Sequence, residues 1–294
     1  MNRRLASGAL MIVGTSLSIQ IAAAIAQGLF SGLGPVGVSG LRFALGTLVI
    51  VPLVRPRYRG HPRATWIAVT AYGVSLAALN LLFFEAIARL QLGIAVTFAF
   101  VAPLIMAIAN SRRRRDVGFA LLAGAGVLVL GGIDSPGSAV GVMLALSAGA
   151  AWVGVAYAAR SVGRLTPRID GLAMAVPIAC LVTLPLASRH LRGLDTHDLL
   201  VGLVIAVGGL ILPFGLELEG LRRLEPRVVA IIYSVDPAIA ALVGLVVLSQ
   251  HLTAPQVGGM AAVICASTGV TAGAALPEGG VETAAASRAT NLED

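Results

Sequence analysis

Long apolar runs alternate with short arginine-bearing links along almost the whole chain. Ten runs stand out: Ala6–Phe30, Val36–Val54, Trp66–Ala88, Leu92–Asn110, Val117–Ile133, Ala139–Ala159, Gly171–Ala187, Leu199–Leu218, Arg227–Leu248 and Pro255–Ala275. A helix of ~17–25 residues crosses a hydrocarbon core about 30 Å thick, and these runs have about that length. In lipid, a helix satisfies every backbone polar group internally. The pattern therefore predicts an all-α integral membrane protein with ten transmembrane helices. The stretch Pro277–Asp294 breaks the pattern with small and polar residues that cannot bury a core, and a disordered cytoplasmic tail is expected there.

The polar residues that interrupt the runs repeat. Glu85 and Glu219, Arg89 and Arg223, Leu90 and Leu224, and Pro103 and Pro237 all stand the same interval apart, without a gap. An acid, a base and a proline carried by one interval point to duplication of a membrane unit. Each unit holds five spans, an odd number, so the second copy enters the membrane from the opposite side. The expected organisation is a first five-helix repeat over residues 1–134, a second, inverted five-helix repeat over 135–276, and the tail 277–294.

Composition agrees with this class. Of the 294 residues, 57% are hydrophobic and 12% charged, with a mean hydropathy of +0.91, where a soluble domain carries roughly a quarter charged residues. A net charge of +7 and a pI near 10.6 invite a nucleic-acid reading, but the placement of the charges argues against it. Every basic residue is Arg, and with the N-terminus inside, all fall on the inner side except Arg89, Arg189, Arg192 and the intraspan Arg42. That asymmetry places both termini in the cytoplasm. The Ser111–Asp116 run becomes a topology anchor against the lipid bilayer, and no nucleic-acid partner is expected. Cys180 and Cys265 sit in apolar spans and read as packing residues, while His61, His190, His197 and His251 lie in links or at span ends. No metal spacing, nucleotide loop, HExxH or GxSxG motif is present, so neither a cofactor nor an enzyme is expected. Arg3 and Arg4 before an apolar stretch resemble the start of a signal peptide, but the run is long and interrupted by Thr15, Ser16, Ser18 and Gln20, which favours a retained helix.

Polar groups inside spans are the candidate chemistry. Ser16, Gln20 and Gln27 share one helical face of the first span, as interhelical glue or as cavity lining. Arg42 either snorkels outward along its own stem or faces a wet cavity, where its planar fork suits a carboxylate. Glu85 precedes Arg89 by four residues, the favourable order for a surface pair, and Asn80 lies deeper in the same span. Pro103 bends the fourth span, with Phe98 and Phe100 flanking it. Trp152 and Tyr157 are packing, interface or substrate aromatics. The glycines of the fifth and tenth spans serve either packing within the chain or a homodimer face. Glu217 ends the eighth span. In the ninth, Tyr233, Asp236 and Pro237 stand where Ala99, Ala102 and Pro103 stand in the fourth. A carboxylate as deep as Asp236 is protonated, paired or wet, and it is the strongest single candidate.

From Ser18 to Thr253 the chain resembles the EamA group of the drug/metabolite transporter superfamily, and within it the bacterial threonine/homoserine exporters. The likeness is carried by Ser18-Ile19-Gln20, by Gly37-Val38 through Leu41-Arg42, and by Tyr72-Gly73-Val74-Ser75-Leu76 followed by Asn80. It continues through Leu92-Gly93-Ile94-Ala95-Val96, Pro103-Leu104, Leu212-Pro213 to Leu216-Glu217, Asp236-Pro237-Ala238 and Leu252-Thr253. The resemblance implies a ten-helix exporter of small amino acids in the bacterial inner membrane, working by alternating access and coupled to proton entry. On that reading Gln20, Arg42, Asn80, Phe98 and Tyr233 contact the small-molecule substrate, Glu217 and Asp236 couple the proton, and Pro103 and Pro237 gate. The chain also departs from those exporters. Ala99 stands where they tend to carry a glutamate, Asp236 shortens another acid, and Gln250 replaces the acid of a GE-x-LT ending. The departures keep a second reading open, efflux of lipophilic or cationic drug-like compounds through the same cavity. A helical scaffold or receptor is the non-transporter alternative.

Overall fold

The architecture is that of a computed structural model, which describes residues 3–109, 115–131, 138–166, 169–221, 223–224 and 226–273. The centre of the Ser111–Asp116 run, most of the link Asp134–Ser138 and the tail 277–294 lie outside the described residues. All the regular structure among the described residues is helical. The first half comprises α1 (Arg3–Gly28), α2 (Phe30–Val54), α3 (Arg63–Ile87), α4 (Leu92–Ala109) and α5 (Arg115–Gly131). The second comprises α6 (Ser138–Leu165), α7 (Asp170–Ala187), α8 (Thr196–Ala206), α9 (Leu212–Leu221), α10 (Pro226–Tyr233), α11 (Asp236–Leu248) and α12 (Ala254–Gly273). Eight helical stretches are long and apolar enough to cross a membrane, and Asp116–Leu130 and Ala254–Val270 are shorter apolar helices.

The differences from the predicted runs have local causes. Helix α2 starts before Val36, at Phe30, but it bends at Gly34, whose φ of 64° is open to glycine, just ahead of Pro35. The eighth run is continuous only through a π-turn, Val207–Ile211, that joins α8 to α9. The ninth is two helices, α10 and α11, parted at Ser234 and Val235.

Small residues set the helix crossings. A Cβ on Gly149 of α6 would stand 2.2 Å from the Ala99 carbonyl oxygen on α4, and one on Gly73 of α3 would stand 2.6 Å from the Ala175 carbonyl oxygen on α7. Backbones approach this closely only where no side chain intervenes. The two halves use matching contacts. Gly8 of α1 packs on Leu224 and Arg223, and Gly141 of α6 packs on Leu90 and Arg89. The ion pairs Glu85–Arg89 and Glu219–Arg223 occupy corresponding ends of α3 and α9. Helix α2 packs on α7, α4 on α11 and α5 on α12, while α3 lies on α6 and α1 lies on α9. One core gathers around Phe84, Ile94 and Phe98, and another around Phe43, Tyr72 and Met174. Outside them, Leu10, Leu128 and Leu181 are each more than 70% exposed, a surface suited to lipid rather than water.

Candidate functional site

The break between α10 and α11 carries a buried acid, Asp236. The Ser234 and Val235 N–H groups turn back to Ile231 and Ile232 (3.2 and 3.0 Å), and the Ala238 N–H turns to the Val235 carbonyl at 2.9 Å. Pro237 has no N–H to return to Tyr233, so the α10 ladder cannot continue through it. It sits instead in the first turn of α11, where a missing N–H costs nothing. Asp236 thereby begins α11 at 5% exposure, with its carboxylate at the positive end of a helix. That position favours an acid by roughly 0.3–1 kcal/mol. Ser16 of α1 lies beside Asp236. Ser16 Oγ is directed at that carboxyl group, while Asp236 Oδ1 and, one turn further along α1 than Ser16, Gln20 Oε1 are buried without a hydrogen-bond partner. Unsatisfied buried groups cost about 1–3 kcal/mol each, so these two oxygens favour additional polar partners.

Glu217, near the end of α9, faces the Tyr233 hydroxyl. It also lies within electrostatic reach of Asp236 and of Tyr72 on α3. Helices α1, α3, α9, α10 and α11 thus contribute Ser16, Tyr72, Glu217, Tyr233 and Asp236 to one polar cluster. Two carboxylates in so apolar a setting attract a cation, whether an ammonium group or a proton. Tyr72 is the member that sequence reasoning did not assign a role. Its signal was available, since Tyr72 and Asn80 are two turns apart on the buried face of α3.

Arg42 turns inward rather than snorkelling. Its Nη2 donates to the Gly209 carbonyl within the π-turn, and its guanidinium carbon lies 5.6 Å from the Phe84 ring centroid. The neighbouring Gly208 carbonyl accepts from Ser18 Oγ, and the Pro213 carbonyl accepts from Thr15 Oγ1 at 3.3 Å. A π-turn widens the helix and changes where its carbonyls point, and here α1 and α2 hold those carbonyls. Gly209 is required for this approach, because a Cβ there would stand 3.0 Å from Arg42 Nη2. Arg42 Nε is buried and unpartnered.

The remaining candidates are dispersed. Asn80 Oδ1 accepts from Ser39 Oγ at 2.6 Å, tying α3 to α2. Phe98 is fully buried in the core, and Phe100 packs edge-on against Trp152 at 5.6 Å. Pro103 lies inside α4, which stays helical from Leu92 to Ala109, so it differs from Pro237: one sits within a helix and the other begins one. Gln250 Oε1 accepts from the Leu92 N–H at 2.9 Å and caps α4, a task that needs a carbonyl-type oxygen and no charge. Asp195, His197 and Asp198 cluster at the start of α8, but the two acids form its capping box and His197 is exposed.

Residues 139–272 match the EamA-like transporter family. The threonine/homoserine exporter RhtA of Salmonella typhimurium strain LT2 is 35% identical over 260 residues, spanning 86% of this chain and 88% of its own. The threonine/homoserine exporter RhtA of Escherichia coli strain K12 is 35% identical over 263 residues with the same coverage. A solved crystal structure 18% identical to this chain superposes with a TM-score of 0.61, covering 90% of this chain and 97% of its own, a likeness of fold alone.

Proposed function

The chain belongs to the EamA-like transporter family, and we propose that it exports threonine, homoserine or related small amino acids across the bacterial inner membrane by alternating access, coupled to proton entry. The observation that carries the proposal is the cluster of Glu217, Tyr233, Asp236 and Ser16, two acids with hydroxyl neighbours inside a bundle of apolar helices. Asp236 and Glu217 receive the substrate ammonium in one state and the coupling proton in the other. Arg42 takes the substrate carboxylate, which replaces the Gly209 carbonyl as its partner. Gly209 and Glu217 lie on one span roughly 12 Å apart along its axis. A small zwitterion therefore reaches both charges only once Arg42 has left the π-turn. Gln20, Asn80 and Tyr233 supply hydrogen bonds, Phe98 backs the site from α4, and Pro103 and Pro237 define where the two halves flex.

The architecture behind this reading is ten spans in two inverted repeats, with both termini cytoplasmic. Matched contacts at Gly8 and Gly141, and matched ion pairs at Arg89 and Arg223, support it. Gly126 of α5 and Gly259 of α12 face each other within the chain, which favours packing over a homodimer role for these two.

The test is uptake of labelled threonine and homoserine into inside-out vesicles, with and without an imposed pH gradient, beside vesicles carrying Asp236→Asn. Accumulation that needs both the gradient and Asp236 is expected. Folded protein that accumulates neither amino acid would overturn the substrate assignment and move the search to cationic drug-like compounds, which a paired-acid cavity also suits.

A further inference from the structure

We propose that the furrow between the inner halves of α3 and α6 binds an anionic phospholipid, its headgroup at Arg164 and an acyl chain along Ala68 and Ala71. The furrow is about 730 Å³, open along one side, and lined by a stripe of small α3 residues and by Gly154, Tyr157 and Arg164 of α6. Ala64, Ala68, Ala71 and Ser75 follow one another at helical spacing, so small side chains run along this face of α3 beside Ile67, the one branched residue that α3 adds to the lining. On α6, Gly154 brings the floor close, since a Cβ there would stand 3.1 Å from Ser75 Oγ. The result is a shallow, largely apolar strip along which a flexible chain gains dispersion contacts. Tyr72 leaves α3 on a different, buried face, so an occupant here stays apart from the polar cluster.

The charges at one end select the occupant. Arg164 lines the furrow, Arg160 precedes it by one turn, and Arg63 opens α3 beside it. Arg55, Arg57 and Arg59 follow in the α2–α3 link, and neither residues 54–75 nor residues 154–165 contain an acid. Tyr58 stacks on Trp66 at 6.5 Å at the same end, the type of aromatic pair that settles at headgroup depth. Guanidinium groups above an apolar furrow match a phosphate joined to an acyl chain. A second copy of the chain would bring the same arginine rim against this one, and like charges oppose that arrangement. Placing the site in the inner leaflet rests on the orientation proposed above. Binding itself does not, and neither does its test.

Purified full-length protein in detergent is titrated with phosphatidylglycerol or phosphatidylethanolamine and read by native mass spectrometry, with glycerol 3-phosphate as a soluble competitor. Phosphatidylglycerol is expected to be retained at about tenfold lower concentration. Arg164→Ala should remove most of that preference, and Ala71→Trp, which fills the furrow on its exposed side, should weaken both lipids. Glycerol 3-phosphate should not compete, because the acyl chain supplies part of the binding. Equal retention of the two lipids would overturn the proposal, as would unchanged adducts in both variants or displacement by glycerol 3-phosphate alone. A dimer abolished by Ala71→Trp would overturn it too, by assigning the furrow to a second copy. If Ala71→Trp does not give monodisperse protein, the exposed-rim variant Arg164→Ala decides alone.

Discussion

The guanidinium of Arg42 donates to the carbonyl oxygen of Gly209, so the cation in the second span is held by the π-turn of the eighth. Nothing near either residue in sequence announces this contact. It turns a π-turn, a feature that recurs at functional sites, into the resting partner of the group proposed to take the substrate carboxylate.

Gly209→Ala is expected to impair export with the acid cluster intact. A Cβ there would meet Arg42 Nη2 at 3.0 Å and the Ala22 Cβ at 2.9 Å, displacing the guanidinium. Arg42→Lys keeps the charge but loses the planar fork, and hydrogen bonds to charged groups contribute about 1.5–3 kcal/mol. Both variants should therefore change the KM in proteoliposomes, Arg42→Lys raising it by about tenfold or more. A wild-type KM in both would reduce Arg42 to a structural tie.

The acids should separate into two classes. Glu85 pairs with Arg89 at a partly exposed helix end, and such pairs contribute about 0–1 kcal/mol. Glu85→Gln is accordingly expected to export at close to the wild-type rate. Glu217→Gln and Asp236→Asn, which alter the buried cluster, should lose gradient-driven accumulation while the protein remains in the membrane fraction. Vesicle uptake with immunodetection of membrane protein distinguishes these outcomes, and equal loss in all three variants would count against the assignment.

Gln250 acts as a helix cap. Gln250→Glu preserves an oxygen for the Leu92 N–H, whereas Gln250→Leu leaves that donor without its partner. A lost cap costs about 0.5–2 kcal/mol. The expected result is a lower thermal midpoint in detergent for the Leu variant and little change for the Glu variant. Restored or enhanced coupling in Gln250→Glu would instead give this position a chemical role.

Gly126 and Gly259 are interlocked, for a Cβ on either would lie 2.6 or 2.8 Å from the other's carbonyl oxygen. Overpacking of this kind costs about 1–3 kcal/mol or more. Gly126→Leu should sharply reduce the yield of folded protein, and Gly124→Leu, with open space around it, should not. Size-exclusion profiles of the two variants make the comparison.

The sequence by itself determined the class, the helices and the local pairs. Apolar runs of membrane length carry the first two. The Glu85–Arg89 and Glu219–Arg223 pairs were legible because helical geometry brings residues four apart together wherever the helix sits. The depth of Asp236 was legible as well, since it follows from counting residues along a span. Only the tertiary structure decided what those groups meet. Arg42 with Gly209, Gln250 with Leu92, Ser39 with Asn80, and Glu217 with Tyr233 and Tyr72 come from different helices. Their approach depends on which faces pack, and one hydrophobic pattern allows many packings. The two prolines make the same point: the sequence pattern pairs Pro103 with Pro237, yet α4 runs through one and the other sits in the first turn of α11. A proline removes one N–H in both places, and the surrounding helices decide whether the backbone bends or breaks.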